Sequence, residues 1–212
     1  NTALLEDEQG GVLGGVETLT DVSDVVARDR VIFSLRRSAS MDQGFFGLLG
    51  RSRPMLQLYD LISSAAASEA PILIMGESGT GKELAAQAVH MAGPRSEGPL
   101  VTVNCAALND ALLESELFGH VKGAYTGAEH HRTGRIEAAH GGDLFLDEIA
   151  EMPWSTQVKL LRVLEQKTIE RVGENRPVPV DVRILTATNQ DLRRLMEAGR
   201  FREDLFYRIN AL

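Results

Sequence analysis

Residues 71–83 read Pro-Ile-Leu-Ile-Met-Gly-Glu-Ser-Gly-Thr-Gly-Lys-Glu, and this stretch decides the fold of the 212-residue chain. It opens with a short apolar run, which is typical of a strand covered on both faces of a parallel sheet. Glycines follow the run, and apolar residues at helical spacing begin after Lys82. A glycine-rich turn between a strand and a helix is the context of a phosphate-binding loop. The stretch therefore predicts an α/β domain that binds a nucleotide.

Three further apolar runs have the length of buried strands, and they are Leu100 to Cys105, Asp143 to Leu146 and Val182 to Ala187. Helical periodicity appears between them, most clearly in Glu83 to Met91 and Pro153 to Gln166. This alternation predicts the α/β class with a doubly wound parallel sheet. In such a sheet, ligands bind at the carboxyl ends of the strands.

The predicted phosphate loop would bind ATP through Gly76, Glu77, Ser78, Gly79, Thr80, Gly81, Lys82 and Glu83. Its glycines let successive backbone N–H groups turn toward a phosphate, and the helix N-terminus adds about half a positive charge. Lys82 is placed to reach the β- and γ-phosphates. Glu83 stands where such loops usually carry a Ser or Thr ligand for Mg²⁺, so Thr80 or water would complete the metal's shell. The alternative is a glycine-rich turn without a ligand.

Two acids follow the apolar run Leu144 to Leu146, at the tip of the strand that the run predicts. Asp147 is predicted to hold Mg²⁺ and its waters. Glu148 is placed to polarise a water that attacks the γ-phosphorus. The alternative is a solvated Asp-Glu pair, but the phosphate loop upstream favours hydrolysis.

Together with other motifs, these segments resemble the central AAA+ domain of bacterial enhancer-binding proteins, the NtrC-like activators of sigma-54 RNA polymerase. The resemblance covers residues 48–212 and rests on residues 76–83, 114–120, 123–128, 141–148, 186–189 and 201–208. In this family a glutamate after the loop lysine is the expected residue, so Glu83 supports the resemblance. It implies a P-loop AAA+ core and an ATPase that remodels the closed promoter complex of the sigma-54 RNA polymerase holoenzyme to activate transcription.

The resemblance also implies roles for five residues outside the loop and the acids. Asn104 corresponds to a switch residue that hydrogen-bonds the catalytic glutamate until hydrolysis is licensed, and a strand-end turn is the alternative. Thr188 and Asn189 resemble the sensor of the γ-phosphate. Arg202 and Arg208 match a pair of arginine fingers that reach into a neighbouring subunit's site in a hexameric ring, and a surface ion pair is the alternative for each.

A glycine-flanked hexapeptide lies between the phosphate loop and the acidic strand, and its residues are Gly123, Ala124, Tyr125, Thr126, Gly127 and Ala128. In the family this loop contacts sigma-54 and transmits the state of the nucleotide. Most members have Phe where Tyr125 stands, and we expect function to survive because the ring is kept. An ordinary glycine-rich surface loop is the alternative. A hairpin is also predicted within Glu170 to Pro177, beside this loop.

Two other parts are predicted before the AAA+ domain. Residues 1–24 resemble the C-terminal strands of a PAS sensor domain, with an ordinary hairpin as the alternative, and residues 25–47 are predicted to form a connecting helix and a linker. The chain is predicted to stop before a fifth strand and a helical lid. Enhancer DNA would be bound only through a C-terminal domain outside it, and whether this part alone hydrolyses ATP stays open.

Composition limits the classes of partner and compartment. The net charge is −8, but the first 27 residues hold six acids and no Lys or Arg, so the remainder is nearly neutral and direct nucleic-acid binding is not predicted. No apolar run approaches the roughly 18 residues of a membrane span. The single cysteine, Cys105, is predicted to fill the core and fits a cytoplasmic location. The histidines lack metal-ligand spacing and are predicted to be solvated or capping.

Two rival functions stay open from the sequence. The first is a nucleotide-gated switch or interaction module that does not hydrolyse ATP, and the intact Lys82, Asp147, Glu148 and Arg208 argue against it. The second is a general AAA+ chaperone or protease motor, which would share the ATP site. The hexapeptide argues against that rival because such motors lack it.

Overall fold

The computed structural model describes residues 2–6, 12–17, 44–125 and 127–211, and the chain divides into two units at residues 43 and 44. In the first unit, strands β1 (Thr2–Glu6) and β2 (Val12–Glu17) pair antiparallel. A hairpin is therefore present within residues 1–24, and it agrees with either interpretation of that segment. The PAS resemblance stays a prediction, and the predicted connecting helix lies outside the described residues.

The second unit alternates helices and strands along residues 44–211. In chain order its elements are α1 (Arg53–Ala66), β3 (Ile72–Met75), α2 (Lys82–Ala92), β4 (Leu100–Asn104), α3 (Asp110–Phe118), β5 (Gly119–His120), β6 (Arg132–Thr133), α4 (Arg135–Ala138), β7 (Asp143–Asp147), a 3₁₀ turn (Ile149–Glu151), α5 (Trp154–Gln166), β8 (Thr168–Glu170), β9 (Pro177–Pro179), β10 (Arg183–Thr188), α6 (Leu192–Glu197) and α7 (Glu203–Ile209).

Four parallel strands form the central sheet in the order β3-β10-β7-β4. All four apolar runs predicted as strands are present in it. The register pairs Leu146 with Val103 on one side and with Thr186 on the other. Because the strands are parallel, their carboxyl ends meet at one edge of the sheet, which brings together the segments after residues 75, 104, 147 and 188.

Helices cover both faces of this sheet, which confirms the predicted doubly wound α/β class. On one face, Val103, Leu144 and Ile184 join a buried cluster with apolar residues of α3, α4, α5 and α7. The alternate residues Phe145 and Leu185 face the other side and are buried there, where α2 packs on the sheet and α1 packs on α2. Alternation along each strand explains why the runs are apolar throughout.

The predicted linker ends earlier than the sequence suggested. Gly44–Gly47 lie within the predicted linker, yet they belong to the second unit. Phe45 is buried, and its ring stacks on that of Tyr59 with 4.8 Å between centroids. The Tyr59 hydroxyl donates to the carbonyls of Leu48 and Gly50 at 3.1 and 3.2 Å. This segment is therefore held against α1 by contacts with Tyr59, which the composition of the segment did not reveal.

A buried polar cluster ties the amino-terminal ends of β7 and β10 to the helices behind them. Arg183 donates from Nε and Nη2 to the two carboxylate oxygens of Asp143, both at 2.8 Å. Its Nη1 group also donates to the carbonyl of Ser68 at 2.8 Å. His90 Nδ1 lies 2.8 Å from Asp143 Oδ2. All three side chains of this ionic cluster are buried, so the interpretation of the histidines as solvated or capping is wrong for His90.

Helix α5 carries one buried hydroxyl, that of Thr156, which has no hydrogen-bond partner in the part of the chain that the structure describes. Leaving a buried hydroxyl without a partner costs about 1–3 kcal/mol, and valine has the same shape without the oxygen. We therefore expect Thr156→Val to raise the free energy of unfolding by about 1 kcal/mol. Urea denaturation would measure this as a higher midpoint at unchanged m-value. A lower midpoint would mean that the hydroxyl is hydrogen-bonded, for example by a buried water.

Within residues 44–125 and 127–211, and in the two N-terminal strands, no helix is both long enough and apolar enough to cross a bilayer.

Candidate functional site

The loop between β3 and α2 has the backbone that a phosphate cradle needs. Gly79 and Gly81 have positive φ values of 79° and 90°, which glycine adopts without strain. A Cβ at Gly76 would lie 2.9 Å from Thr80 Oγ1, so that position has no room for a side chain. Lys82 Nζ donates to the carbonyls of Gly76 and Glu77 at 3.1 and 3.2 Å. The lysine therefore lies folded over its own loop.

The remaining loop residues lie at the surface. Glu77 and Ser78 are exposed, and Glu83 is exposed in the first turn of α2, where an acid is favourable near the helix N-terminus. The Thr80 hydroxyl donates to the carbonyl of Glu77 at 2.8 Å. The Thr80 hydroxyl is therefore hydrogen-bonded inside the loop, just before the first turn of α2.

Asp147, the last residue of β7, and Glu148, which follows it, lie beside this loop. Glu148 Oε1 lies 3.9 Å from Lys82 Nζ, and the backbone N–H of Glu148 donates to Asp147 Oδ1 at 3.0 Å. Glu148 has φ 51° and ψ 50°, a left-handed conformation that is unfavourable for a residue with a side chain. Such strain persists where the surrounding structure enforces it and often marks a functional site. The acids and the lysine thus form one constellation.

The predicted sensor contacts the same glutamate. The backbone N–H of Asn189 donates to Glu148 Oε2 at 3.4 Å, a long hydrogen bond between adjacent strand ends. Thr188 is fully buried, and its Oγ1 accepts from the backbone N–H of Gln190 at 3.0 Å. The carbonyl of Thr188 accepts from Gly76 N at 3.2 Å, which joins the sensor segment to the phosphate loop.

Asn104 lies opposite Asp147 in the β4–β7 register and is exposed. Its Oδ1 atom accepts from the backbone N–H of Ala106 at 2.9 Å, which is the strand-end turn that stood as the alternative interpretation. Glu148, the proposed partner of this residue, is held instead by Asn189 and Lys82. The switch role of Asn104 stays a prediction, and it requires the side chain to leave this turn.

The next residue, Cys105, is buried as predicted for a core residue. Burial, together with the smaller effect of the negative charges of Asp147 and Glu148, raises the pKa of its thiol to about 12. At neutral pH the sulfur is therefore protonated, and a protonated thiol is neither a nucleophile nor a metal ligand.

The two predicted finger arginines lie away from this constellation, at the two ends of α7. Arg202 donates from Nε and Nη2 to the carboxylate of Asp204 at 3.0 and 2.7 Å. This hydrogen-bonded pair raises the pKa of Arg202 and lowers the pKa of Asp204. Arg208 Nη2 lies 3.6 Å from Glu165 Oε1. In the described part of the chain, neither guanidinium forms a hydrogen bond or ion pair with the phosphate loop or the acids.

The hexapeptide after β5 is closed at its base. Gly123 N donates to the carbonyl of Ala128 at 2.9 Å, and Ala128 N donates to the carbonyl of Tyr125 at 3.0 Å. Gly123 and Gly127 have φ values of 83° and 99°, so both positions require glycine. Thr126 lies outside the described residues.

Tyr125 contacts two buried residues, Ser115 of α3 and His120 of β5. Its hydroxyl lies 3.4 Å from Ser115 Oγ, and its ring makes an edge-on contact with His120 at 5.1 Å between centroids. His120 Nδ1 in turn lies 2.7 Å from Ser115 Oγ. His120 is therefore buried and bonded, so it too departs from the predicted solvated or capping histidine. The spacing of Ser115 and His120 gave no sign of this contact.

The predicted hairpin is formed by β8 and β9, and it touches the root of the hexapeptide. Val121 N donates to the carbonyl of Val172 at 3.1 Å. A Cβ at Gly173, in the hairpin turn, would lie 2.7 Å from the Cβ of Ala124. Loop and hairpin are therefore in van der Waals contact, and a displacement of one has to be accommodated by the other.

Sequence reasoning missed two residues of α5 that hold the Arg202 segment. The Trp154 ring lies under the Arg202 guanidinium at 5.1 Å, and Gln157 Oε1 accepts from the backbone N–H of Arg202 at 2.9 Å. Trp154 is the single tryptophan of the chain, and its rarity was the only feature of the sequence that could have drawn attention to it. Gln157 looked like an ordinary polar residue of an amphipathic helix.

Comparison with known proteins gives a match over residues 48–212 to the family described as the sigma-54 interaction domain. The transcriptional regulatory protein ZraR of Escherichia coli (strain K12) is 54% identical over 167 residues, which cover 79% of this chain and 38% of that protein. The Nif-specific regulatory protein of Herbaspirillum seropedicae is 53% identical over 165 residues, covering 78% of this chain and 30% of that protein. The chain thus spans well under half the length of these relatives.

Solved structures of NtrX from Brucella abortus resemble the chain as well. The crystal structure in complex with ATP has a TM-score of 0.73 and 40% identity, and it covers 93% of this chain and 43% of that one. The crystal structure in complex with ADP gives the same values. Because 40% of the aligned residues are identical, the chain resembles NtrX in sequence as well as in its α/β architecture.

Proposed function

Because this chain belongs to the sigma-54 interaction domain family, with the P-loop AAA+ core of those activators, we propose that it binds and hydrolyses ATP to remodel the closed promoter complex of sigma-54 RNA polymerase. One observation carries the proposal: Lys82, Asp147 and Glu148 converge at one edge of the sheet in a chain that also carries the hexapeptide 123–128. The NtrX structures with ATP and ADP support the choice of nucleotide.

The residues at the strand ends fit a Mg²⁺–nucleotide complex. One oxygen of Asp147 accepts from Glu148 N, while Oδ2 has no hydrogen bond within the described residues, so the carboxylate has a free donor atom for a hard cation. Asp147 would hold the metal, with Thr80 or water completing its shell because Glu83 replaces the usual hydroxyl residue. Bound Mg²⁺ would neutralise charge on the phosphates.

Within the chain itself, Glu148 has the position of a general base. Its carboxylate is held from one side by Asn189 N and lies 3.9 Å from the Lys82 ammonium, which would move onto the phosphates when ATP binds. A general base that is fixed in this way contributes about 10²- to 10⁴-fold in rate. The sensor pair Thr188 and Asn189 would register the γ-phosphate through the same contact.

Assembly would complete the site. Neither Arg202 nor Arg208 contacts Asp147 or Glu148 of its own subunit, which agrees with a role at the site of a neighbour in a ring, hexameric in this family. A finger arginine contributes about 10³- to 10⁵-fold in rate. A single subunit would then bind ATP and hydrolyse it slowly.

The hexapeptide would carry the result to sigma-54. Its Tyr125 contacts Ser115 of α3 and His120 of β5, and its root contacts the β8–β9 hairpin at Val172 and Gly173. Helix α3 follows the end of β4, where Asn104 lies opposite Asp147. A change at the acids would therefore be passed to the loop through β4 and the helix that follows it. A chaperone or protease motor would have no use for this loop.

The test separates hydrolysis from engagement of sigma-54. Thr126 lies outside the ATP motifs, so we expect Thr126→Ala in the complete gene product to keep the ATPase rate and to lower open-complex formation by about 30-fold, the loss expected for an interface hot spot. Promoter-melting assays with sigma-54 holoenzyme would measure the loss. Thr133→Ala, at an exposed threonine beyond the loop, is the matched control and should leave both rates unchanged. Normal promoter melting by Thr126→Ala would refute the contact role.

A further inference from the structure

Helix α5 connects the acids of one site to the arginine segment that would serve another. It begins six residues after Glu148, across the 3₁₀ turn Ile149–Glu151. Its first turn supplies both Trp154 and Gln157, and both contact the segment that ends at Arg202.

Gln157 fixes the backbone of the finger segment. Its side chain is fully buried, and its Nε2 donates to the carbonyls of Met152 and Arg200 at 2.8 and 3.1 Å. Its Oε1 accepts from Arg202 N at 2.9 Å, so one amide joins the turn after the acids to the residues on both sides of Phe201. Phe201 is itself buried. The backbone before Arg202 is therefore held by α5 through Gln157 and by α6 through the Leu195 carbonyl, which accepts from Arg200 N and Phe201 N at 2.8 and 3.2 Å.

Trp154 and Asp204 fix the side chain. The guanidinium lies over the Trp154 ring at 5.1 Å, and its Nε and Nη2 groups bind the Asp204 carboxylate. Nη1 has no hydrogen bond within the described residues, so one donor group is left for a ligand. Arg202 is 26% exposed, whereas Arg208 is 59% exposed and has one long contact to Glu165. Of the two arginines, only Arg202 is held in a defined direction.

We propose that Trp154 and Gln157 are positioning residues for Arg202, which they hold ready to enter the ATP site of the neighbouring subunit. This inference rests on the proposed function, because it assumes that Arg202 acts in the site of another subunit. Holding a charged group in its working geometry before the reaction removes the cost of orienting it later. Because α5 starts six residues after Glu148, Trp154 and Gln157 also link the ATP site of a subunit to the arginine that this subunit donates to its neighbour.

The first test compares two substitutions of Trp154 in the complete gene product. Trp154→Leu keeps an apolar helix-forming residue but removes the ring, and we expect kcat to fall about tenfold while KM for ATP stays within about twofold. Trp154→Phe keeps a ring and should stay within about twofold of the unsubstituted protein. Wild-type kcat in Trp154→Leu would overturn the role of the ring, and so would an equal loss in Trp154→Phe.

The second test asks which site is impaired. In mixed rings, Glu148→Gln subunits offer an intact finger but lack a working site. If Trp154→Leu impairs only donation, an equimolar mixture with Glu148→Gln should exceed the turnover of either parent, by about threefold, because half of the Trp154→Leu sites receive an intact finger. Arg202→Ala mixed in the same way is the positive control. A mixture no faster than its parents would mean that Trp154→Leu damages its own site, which contradicts the inference.

The third test uses no turnover. Trp154 is the single tryptophan, so its fluorescence reports the contact with Arg202 directly. We expect Arg202→Ala to shift the emission maximum in the unassembled protein and Arg208→Ala to leave it unchanged. An unchanged spectrum in Arg202→Ala would show that Trp154 does not contact Arg202, and the inference would then be refuted. Full ATPase activity of Arg202→Ala with a shifted spectrum would instead refute the finger role of Arg202 assumed in the proposed function.

Discussion

Glu148→Gln is expected to keep ATP binding and to lower the rate of phosphate release by about 10²- to 10⁴-fold, the contribution of a general base. Glutamine has the size of glutamate and keeps an oxygen that can accept from Asn189 N. It cannot take a proton from water at neutral pH. The loss should therefore fall on kcat, while the dissociation constant for ATP should stay similar or decrease, since a negative charge near the phosphates is removed.

Equilibrium binding of a fluorescent ATP analogue and a phosphate-release assay on the same preparation would separate the two effects. Glu151→Gln is the matched control, because Glu151 is an exposed acid of the neighbouring 3₁₀ turn and its side chain forms a hydrogen bond only with Gln190 among the described residues. It should keep turnover within about twofold. Undiminished phosphate release by Glu148→Gln would remove Glu148 from its role as the base.

The sheet and the ATP constellation could be predicted because their signals are local. A short apolar run between turn residues indicates a buried strand, and the residue types at its end report the chemistry placed there. Lys82, Asp147 and Glu148 each follow such a run, and parallel strands bring their carboxyl ends to one edge. The contact between Lys82 and Glu148 needed no information beyond strand order.

Features that depend on side-chain partners could not be predicted in the same way. The turn made by Asn104 and the pair made by Arg202 and Asp204 depend on rotamers that the spacing of residues does not encode. Trp154 lies 48 positions before Arg202 in the chain, and only the packing of α7 on α5 brings them together. The early end of the linker depends in the same way on a ring contact between Phe45 and Tyr59.

The buried ionic cluster of His90, Asp143 and Arg183 is the clearest case of contacts that residue spacing does not encode. A substitution in this cluster is also expected to have the largest effect on stability. Asp143 lies 53 positions from His90 and 40 from Arg183, so no local pattern joins them. Asp143→Asn keeps the size of the side chain but removes the charge opposite Arg183, whose side chain has no exposed surface. Removing one partner of a buried ion pair costs about 3–5 kcal/mol, because the other charge stays buried without compensation.

Urea denaturation of Asp143→Asn should show this loss as a lower midpoint, a large part of the roughly 5–15 kcal/mol that stabilises a typical domain. Asp181→Asn is the matched control, since Asp181 also accepts from an arginine, Arg95, at 2.8 Å, but is 64% exposed. An exposed pair is worth about 0–1 kcal/mol, so this control should barely move the midpoint. Equal losses in the two variants would mean that burial does not set the strength of the pair. A small loss in Asp143→Asn would mean that Arg183 reaches water or another partner once the carboxylate is gone.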